Sequence, residues 1–358
     1  MGGSMKILIA MSGGVDSSVA AKLLRDSGNE CVGCTMRLYD NCDAGIPKTH
    51  TCCSLSDVED ARSVAFSLGM RYYVFNFTDD FREKVIKKFA ACYLNGQTPN
   101  PCIDCNRYMK FDKLFERADI LNCDLIATGH YARIEHENGK YLLKKALDEA
   151  KDQSYVLYSM TQEQLSRTLF PLGALTKPQV RSIAASAGLV SAEKPDSQDI
   201  CFVPDSDYAA LIRRQTGKDT PCGNFIDKDG NIIGCHKGIT AYTIGQHRGL
   251  GLSLPERRYV CAINAEDNTV TLGGEADLYR NALTAGDFNW ISGEAPNTQL
   301  RCRVKIRYRQ PEQPATVTPL PGGRVSIVFD EPQRAITPGQ AAVAYAGDLV
   351  LGGGVILK

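Results

Sequence analysis

A predicted strand, a glycine-containing loop and a predicted helix follow one another near the start of the chain, and this unit restricts the fold more than any other stretch. The apolar run at residues 6–10 predicts a buried strand, and the apolar spacing over 19–24 predicts one face of a helix that ends at Gly28. The loop between them reads Met-Ser-Gly-Gly-Val-Asp-Ser-Ser at residues 11–18. Its glycines let the backbone turn tightly and let an anion approach the N–H groups at the positive end of the helix dipole. The unit therefore predicts a phosphate site at the end of a strand.

This loop matches neither of the two commonest nucleotide-binding motifs. It lacks the lysine that ends a P-loop and the glycine spacing of the Rossmann fingerprint. Ser12, Gly13, Gly14, Asp16 and Ser17 instead resemble the PP-loop of the ATP pyrophosphatases, which split ATP into AMP and pyrophosphate. The resemblance implies that the loop binds ATP, and it leaves open which substrate the ATP activates.

Composition is typical of a globular protein of a reducing compartment. The 358 residues are 43% hydrophobic and 23% charged, and no apolar stretch approaches the length of a membrane span. Fourteen cysteines without a signal peptide predict a cytoplasmic protein whose thiols are ligands, nucleophiles or core residues. We interpret residues 1–4 as an expression remnant and Met5 as the native start. The formal net charge is zero, so any basic surface for nucleic acid has to be local.

Strand and helix patterns alternate up to about residue 205 and then give way to short strands with glycine turns. Predicted strands at 31–38, 72–77 and 124–128, separated by helical patterns, favour an α/β fold with a doubly wound parallel sheet. The later segments favour β structure. We predict a PP-loop catalytic domain at 5–205, a central mainly-β domain at 206–274 and a C-terminal β-barrel at 275–358.

Cysteines occur in several settings before residue 106. Cys31 and Cys34 lie three apart on a predicted strand, point to opposite faces and are predicted core thiols. A following loop contains Cys42, His50, Cys52 and Cys53, for which both a metal site and plain thiols stay open. The prolines of the loop 96–106 present Cys102 and Cys105 just before a predicted helix, where a thiolate is stabilised.

Two further stretches suggest a binding role. His130 follows a predicted strand and stands beside Gly129 and Tyr131, at the sheet edge where ligands bind in open α/β folds. Residues 301–309 alternate strictly, so that a strand would carry five cations on one face. A row of Arg and Lys can follow a phosphate backbone, which favours nucleic acid over a plain solvated face.

Together these features resemble one family, the bacterial-type tRNA-specific 2-thiouridylases. The resemblance extends over essentially the whole chain after residue 4. The motifs that carry it lie at residues 12–17, 98–101, 105–106, 128–133, 151–155, 199–202, 243–251 and 338–340. Each motif alone is weak, whereas their order and spacing are specific.

The resemblance implies an activity with its substrates and partners. ATP, with Mg²⁺, would adenylate the carbon-2 oxygen of the wobble uridine in the anticodon arm of tRNA, and sulfur would then displace AMP to give 2-thiouridine. A sulfur-carrier protein or another sulfide donor would supply the sulfur. No membrane partner is implied.

The resemblance also implies roles for individual residues. The residues implied to bind ATP are Ala10, Met11, Ser12, Gly13, Gly14, Val15, Asp16, Ser17, Met36 and Gly129, and Asp16 is our candidate for holding Mg²⁺. The residues implied to contact tRNA are Asn100, Pro101, Cys102, His130, Lys151, Asp152, Gln153, Arg307, Tyr308 and Gln340. Cys201 would receive a persulfide, and Cys105 would free sulfide from it or resolve the disulfide afterwards.

The chain departs from the family pattern at one position. Many members carry aspartate where this chain has Cys102. Cys102, Cys105 and Cys201 could therefore hold a [4Fe-4S] cluster with one open iron site, which would replace the persulfide route.

Two other classes of protein remain as alternatives. One is another PP-loop ligase, such as an argininosuccinate synthase or a synthetase that amidates a nucleotide. The other is a non-catalytic tRNA-binding protein with structural zinc. Neither ligase needs the two cysteine segments or the basic strand.

Overall fold

The computed structural model describes residues 4–40, 55–194, 200–203, 207–217 and 219–358. The predicted metal loop with Cys42, His50, Cys52 and Cys53 lies outside the described residues, as does Asp199 of the motif before Cys201. No helix in the described ranges is both long and apolar enough to cross a membrane.

A five-stranded parallel sheet forms the first part of the molecule and confirms the predicted fold class. Its strands are β1 (Lys6–Ala10), β2 (Glu30–Arg37), β3 (Arg71–Asn76), β4 (Leu125–Ala127) and β7 (Thr168–Leu169), in the order β3-β2-β1-β4-β7. Cys31 and Cys34 are buried in the cores on the two opposite faces of this sheet, as their spacing predicts. Apolar residues therefore cover both faces, which parallel sheets require.

Helices connect these strands. The helices of this part are α1 (Val15–Asp26), Leu55–Ser67, Thr78–Phe81, Lys87–Leu94, Pro101–Asp104, Leu114–Ile120, Gln162–Ser166 and Lys177–Ser186. Two π-helical segments, Arg82–Ile86 and Cys105–Lys113, join neighbouring α-helical segments into longer stretches, and the second segment kinks at Phe111 (φ −113°, ψ 18°). We call the kinked helical stretch over residues 101–120 the cysteine helix. The helix Gln162–Ser166 ends early because Thr168 and Leu169 pair with β4 as a strand.

A hairpin leaves the first part and joins the last. It consists of β5 (Ala132–Glu137) and β6 (Lys140–Lys145), and its turn residues Asn138 and Gly139 have φ of 51° and 76°. A two-residue hairpin turn requires positive φ at both positions, and Asn and Gly are the residues that adopt it most readily. Strand β6 also pairs with the last strand of the chain.

Mainly β structure makes up the middle of the chain. After the helix Tyr208–Thr216, the strands are β8 (Gly223–Ile226), β9 (Ile232–His236), β10 (Tyr259–Asn264) and β11 (Thr269–Gly273), in the order β10-β11-β8-β9. Their core includes Phe225, Val260 and Leu272.

The C-terminal part is a closed six-stranded β-barrel. Its strands are β12 (Tyr279–Trp290), β13 (Leu300–Lys305), β14 (Gln313–Leu320), β15 (Arg324–Arg334), β16 (Ala341–Ala346) and β17 (Leu349–Ile356). Pairing of β12 with both β15 and β17 closes the ring. Closure removes the free sheet edges that would otherwise pair with other chains.

The barrel packs against the first part through close backbone approaches. A Cβ atom added to Gly353 would lie 2.6 Å from Cγ of Tyr158. Asn289 donates from its side-chain amide to the carbonyl oxygens of Tyr158 (2.7 Å) and Met160 (3.0 Å). The loop before the cysteine helix is held too, because Thr98 N donates to Pro338 O (2.9 Å) and Gln340 Nε2 to Thr98 O (2.7 Å).

We expect Gly353→Ala to lower the free energy of unfolding by about 1–3 kcal/mol, because the added methyl group overlaps the Tyr158 ring. Thermal denaturation followed by circular dichroism measures the change. Gly274→Ala is the matched control, since a Cβ there would come no closer than 3.6 Å to the nearest side chain. Equal melting temperatures for the two variants would contradict the close approach.

Candidate functional site

One cavity of about 370 Å³ lies where the carboxyl ends of β1, β2 and β4 face the cysteine helix. Most of the residues predicted to bind ATP or to transfer sulfur line it, and so do some of those predicted to contact tRNA. The first group comprises Ala10, Met11, Ser12, Asp16, Ser17, Met36, Gly129, Cys105 and Cys201, and the second comprises Pro101, Cys102, His130 and Gln153. The fold thus brings the PP-loop and three cysteines from distant parts of the sequence to one space.

The PP-loop turns sharply before α1. Gly13 has φ of +76°, and a Cβ atom there would lie 2.3 Å from the carbonyl oxygen of Asp57, so both conformation and space require glycine. Gly14 is the N-cap of α1 and has no side chain with which to cap the first N–H groups. Those donors are therefore available to an anion, as the sequence predicts.

Loop hydroxyl groups are partly used within the loop itself. Ser17 Oγ accepts from Ser12 N (3.1 Å) and donates to Gly14 O (3.2 Å). Ser18 Oγ donates to Gly14 O (2.9 Å) and accepts from Ser191 Oγ (3.0 Å). Ser18 is fully buried, so its hydroxyl does not face the cavity as an anion donor.

Asp16 is held by an ion pair that sequence reasoning missed. Lys177 Nζ donates to both carboxylate oxygens of Asp16 (2.7 and 2.9 Å), and the Tyr131 hydroxyl donates to Oδ1 (2.8 Å). Lys177 is in the first turn of its helix, where the helix dipole disfavours a cation. In the sequence, a lysine directly after the N-cap residue Thr176 indicates that an anion from another part of the chain offsets its charge.

The cysteine helix starts earlier than predicted and contains both cysteines. Asn100 is its N-cap and accepts from the backbone N–H of Cys102 (3.1 Å), with Pro101 at the first position. These are the usual residues for a helix start. Cys102 is exposed and Cys105 is half-buried, one turn further along.

Cys105 is a weaker acid than its place near a helix start suggested. Burial raises the pKa of its thiol to about 11, while the nearby ammonium of Lys110 lowers the pKa in part. The prediction of a stabilised thiolate at Cys105 is therefore wrong, because burial of the thiol raises its pKa by more than the nearby Lys110 lowers it.

His130 is a neutral histidine in the cavity wall. It is 6% exposed, and burial together with the charge of Lys110 holds its pKa well below the usual range. Its Nδ1 lies 2.7 Å from Thr128 Oγ1, and its Nε2 lies 3.3 Å from Lys110 Nζ. Because Lys110 can only donate, Nε2 is the acceptor and Nδ1 carries the hydrogen. Lys110 itself lines the cavity and was not predicted from the sequence.

Cys201 is positioned by its neighbours in a short turn. The Tyr39 hydroxyl donates to the carbonyl oxygen of Cys201 (2.6 Å). The Phe202 ring packs edge-on against Phe81 and Phe89, with centroids 5.4 and 5.6 Å away. These contacts bury Phe202 in the core and leave the half-buried Cys201 at the cavity wall.

The three cavity cysteines do not form a metal-ligand set as placed. In the ranges that the structure describes, no three Cys, His, Asp or Glu side chains come together closely enough to hold a metal ion. The structure therefore shows that the predicted cluster ligands Cys102, Cys105 and Cys201 line one cavity, and it shows no ligand geometry beyond that.

Several residues predicted to contact tRNA lie close to one another. Gln153 Oε1 accepts from Tyr131 N (2.9 Å), and Asp152 accepts from Ser154 Oγ (2.7 Å). The Tyr308 hydroxyl donates to Asp152 O (3.2 Å), which joins the segment 151–153 to the barrel. Lys151 precedes this pair, and Gln340 is on the barrel turn that contacts Thr98.

The predicted row of five cations on one strand face is wrong. Strand β13 ends at Lys305, so two of the five fall in the following turn. Arg301 pairs with Asp330 (2.6 Å), and Arg307 donates to Thr337 Oγ1 (2.6 Å), Ala335 O (3.0 Å) and Ile244 O (3.2 Å). The side chain of Arg307 thus connects the barrel to the middle part of the chain.

Comparison with known proteins agrees along the whole chain. Residues 5–205 match the family model of a tRNA methyl transferase HUP domain, 211–274 that of a tRNA methyl transferase PRC-barrel domain, and 280–356 that of an aminomethyltransferase β-barrel domain. The chain is 51% identical over 354 residues to the tRNA-specific 2-thiouridylase MnmA of Acetivibrio thermocellus, covering 98% of this chain and 99% of the relative. It is 48% identical over 351 residues to the protein of the same name from Clostridium acetobutylicum, again covering 98% and 99%.

We expect Cys105 to react slowly with iodoacetamide at pH 8 and faster as the pH approaches 11, because only the thiolate attacks. Lys110→Gln removes the charge that lowers the Cys105 pKa, so the midpoint of the rate profile should move to higher pH. Mass spectrometry of the peptide that contains Cys105 gives the rates. Lys140→Gln, at the exposed first residue of β6, is the control, and an unchanged midpoint in Lys110→Gln would contradict the assignment.

Proposed function

The chain belongs to the tRNA-specific 2-thiouridylase family, and we propose that it uses ATP to activate a tRNA uridine and replaces the oxygen on carbon 2 with sulfur. One observation carries this proposal: a single cavity is lined by the PP-loop, by Cys105 and by Cys201. Methyl transfer, which appears in the names of the family models, has no use for an ATP loop facing two thiols. The cavity contents therefore favour sulfur transfer.

The first step is adenylation of the base. The carbon-2 oxygen attacks the α-phosphorus of ATP, an O–P bond forms, pyrophosphate leaves, and N3 of the uracil gives its proton to solvent. Backbone N–H groups of residues 12–17 and the N-terminus of α1 hold the phosphates, while Met36 and Gly129 line the nucleotide end of the cavity. AMP is then a good leaving group on carbon 2.

Positive charge for the phosphates comes from two lysines as well as from the loop. Lys177 is paired with Asp16 beside the PP-loop, and Lys110 lines the cavity nearer the cysteines. Asp16 is the residue that would hold Mg²⁺, and both its oxygens accept from Lys177. When bound, Mg²⁺ would neutralise charge on the leaving pyrophosphate.

Sulfur transfer follows on the same base. A sulfur-carrier protein delivers a sulfane sulfur to Cys201, and the Cys105 thiolate attacks Sγ of the Cys201 persulfide. The S–S bond of the persulfide breaks, hydrosulfide leaves, and a disulfide joins Cys105 to Cys201. Hydrosulfide attacks carbon 2 and AMP departs; the sulfur's proton ends on N3, and a thiol reductant returns both cysteines to thiols with two electrons.

Lys110 and His130 tune this chemistry without themselves changing charge. His130 stays neutral and accepts from Lys110, so the ammonium is held in the cavity wall. The ammonium partly offsets the burial that raises the pKa of Cys105. In the free protein Cys105 is therefore held mainly as a thiol at pH values below about 11.

tRNA binding uses residues from two parts of the chain. Tyr308 of the barrel is bonded to Asp152 of the segment 151–153, and Gln340 of the barrel is bonded to Thr98, just before the segment 100–102. His130 lines the cavity between these contacts and the PP-loop. Arg307 supports this surface through Thr337 and Ala335, and we retain its tRNA contact as a prediction. The barrel and the first domain would then grip the anticodon arm together.

A cluster-based route is the second candidate. It is favoured by Cys102, which lines the same cavity as Cys105 and Cys201. As placed, the three thiols do not form a ligand set, so we derive no step through a cluster.

We expect Asp16→Ala to abolish tRNA-dependent AMP formation and Cys201→Ala to leave AMP formation within about twofold while stopping thiolation. Asp16 anchors the loop through Lys177, whereas Cys201 acts only after the adenylate has formed. Nucleoside mass spectrometry of tRNA and an AMP assay give the two readouts. Cys235→Ala, exposed on β9, is the control. Thiolation by Cys201→Ala at the wild-type rate, with persulfide as donor, would refute the role of Cys201.

The two sulfur routes are separated by anaerobic purification followed by iron and sulfide analysis. The persulfide route predicts a colourless protein that is active with a persulfide donor. The cluster route predicts iron, visible absorption and activity with inorganic sulfide. Loss of iron in Cys102→Ser would assign the third ligand.

A further inference from the structure

Asn106 is a buried polar residue for which the reaction described above has no use. It follows Cys105 in the cysteine helix, lines the same cavity and is only 2% exposed. Its Nδ2 donates to the carbonyl oxygen of Val156 (3.0 Å). Its Oδ1 is buried and accepts no hydrogen bond from any residue that the structure describes. A buried acceptor without a donor is costly, and a native protein keeps one only for a reason.

The orientation of this amide is fixed. If the amide were flipped, Oδ1 would face the carbonyl oxygen of Val156, and two acceptors would repel each other. The contact with Val156 therefore holds Oδ1 as the atom that awaits a donor. A ligand group that satisfies it must carry an N–H or O–H and must enter the cavity beside Cys105.

We propose that Asn106 is the specificity residue that reads the N3–H of the target uracil. This inference rests on the proposed function. Sulfur has to reach carbon 2 of the base close to Cys105 and Cys201, and N3 is bonded directly to carbon 2. When carbon 2 lies near the cysteines, the N3–H is the base donor nearest to Asn106.

The same contact explains selection of uridine over cytidine. Both pyrimidines have an oxygen on carbon 2, so the atom to be replaced does not distinguish them. N3 of uracil carries a hydrogen, whereas N3 of neutral cytosine carries a lone pair. Asn106 Oδ1 accepts from the first and repels the second, and the thiols of Cys102 and Cys105 supply no such distinction.

The hydrogen bond between N3–H and Asn106 Oδ1 increases the affinity of the protein for the base. Uracil carries the N3–H before adenylation and 2-thiouracil carries it again after AMP has left, so substrate and product are both held. A neutral hydrogen bond of this kind contributes about five- to tenfold in affinity. A site built around such a bond rejects an analogue that lacks the donor, because the buried oxygen is then left unpaired.

The test uses anticodon stem–loops that differ only in the wobble base. One has uridine at the wobble position, and the other has 3-deazauridine, which keeps the carbonyl group on carbon 2, has C–H in place of N3–H and carries a hydroxyl group on carbon 4. With a nonhydrolysable ATP analogue bound, we expect the wild-type protein to bind the uridine loop about five- to tenfold more tightly. In Asn106→Ala the ratio should fall to about one, because only the uridine complex is weakened.

Controls keep the inference separate from stability and from the proposed function. Asn29→Ala is the matched variant, since Asn29 Nδ2 also donates to a backbone carbonyl, that of Leu24 (3.2 Å), away from the cavity. The wild-type comparison needs no substitution, so equal binding of the two loops overturns the inference even if Asn106→Ala fails to fold. An unchanged ratio in a folded Asn106→Ala overturns it as well.

The same wild-type preparation is assayed for thiolation of full-length tRNA with ATP and a sulfur donor. Thiolation together with equal binding of the two loops refutes the role of Asn106 alone. Absence of thiolation with every donor refutes the proposed function, and the inference about Asn106 falls with it.

Discussion

Parallel pairing of β1 with β2 and β4 is the constraint on which the functional site depends. In this register Ala10 lies beside Cys34 and Ile9 beside Ala127, so β1 and β4 end close to one level while β2 continues past them to Arg37. The PP-loop and the Gly129–His130 segment follow the ends of β1 and β4, and Met36 is on the part of β2 that extends beyond them. Gly129 permits the closest approach, since a Cβ atom there would lie 2.9 Å from Ser17 N. A side chain at this point would push the phosphate loop away from the wall that contains His130.

The C-terminal barrel completes the site by holding the loop that precedes the cysteine helix. The loop before the cysteine helix contains two prolines and has few regular backbone bonds, and the barrel turn at 338–340 supplies two hydrogen bonds to Thr98. Gly339 has φ of +90° and would meet Thr98 N at 3.0 Å with a Cβ, so glycine allows this contact. The position of Cys102 and Cys105 is therefore determined partly by the barrel, some 240 residues away along the chain.

Sequence patterns predict features that depend on residues close together in the chain. They fail for features that depend on packing between residues far apart in the chain. Strand and helix periodicities, the Asn138-Gly139 turn and the opposite burial of Cys31 and Cys34 follow from neighbouring residues. The thiol of Cys105 is different, because its pKa depends on how deeply other elements bury it. Arg307 looked like a surface cation by alternation, but the strand ends before it and its guanidinium faces carbonyl groups from two other segments. The roles proposed for Lys110, Lys177 and Asn106 depend on residues that are distant in the sequence and that the fold brings next to them. Sequence patterns alone therefore do not reveal these roles.

The π-helical segment Cys105–Lys113 has a consequence for how the sequence has to be read. In an α-helix, a residue five positions further on is rotated by about 140°, which would direct Lys110 away from the face that presents Cys105. The wider π turn brings positions i and i+5 toward one side, so the lysine and the thiol line the same cavity. Helical-wheel analysis separates these two residues for that reason. Deleting one residue between Cys105 and Lys110 would restore the ordinary α-helical pitch. It would also rotate every later residue of the helix away from its present contacts. The length of this segment therefore determines the geometry of the active site as much as its side chains do.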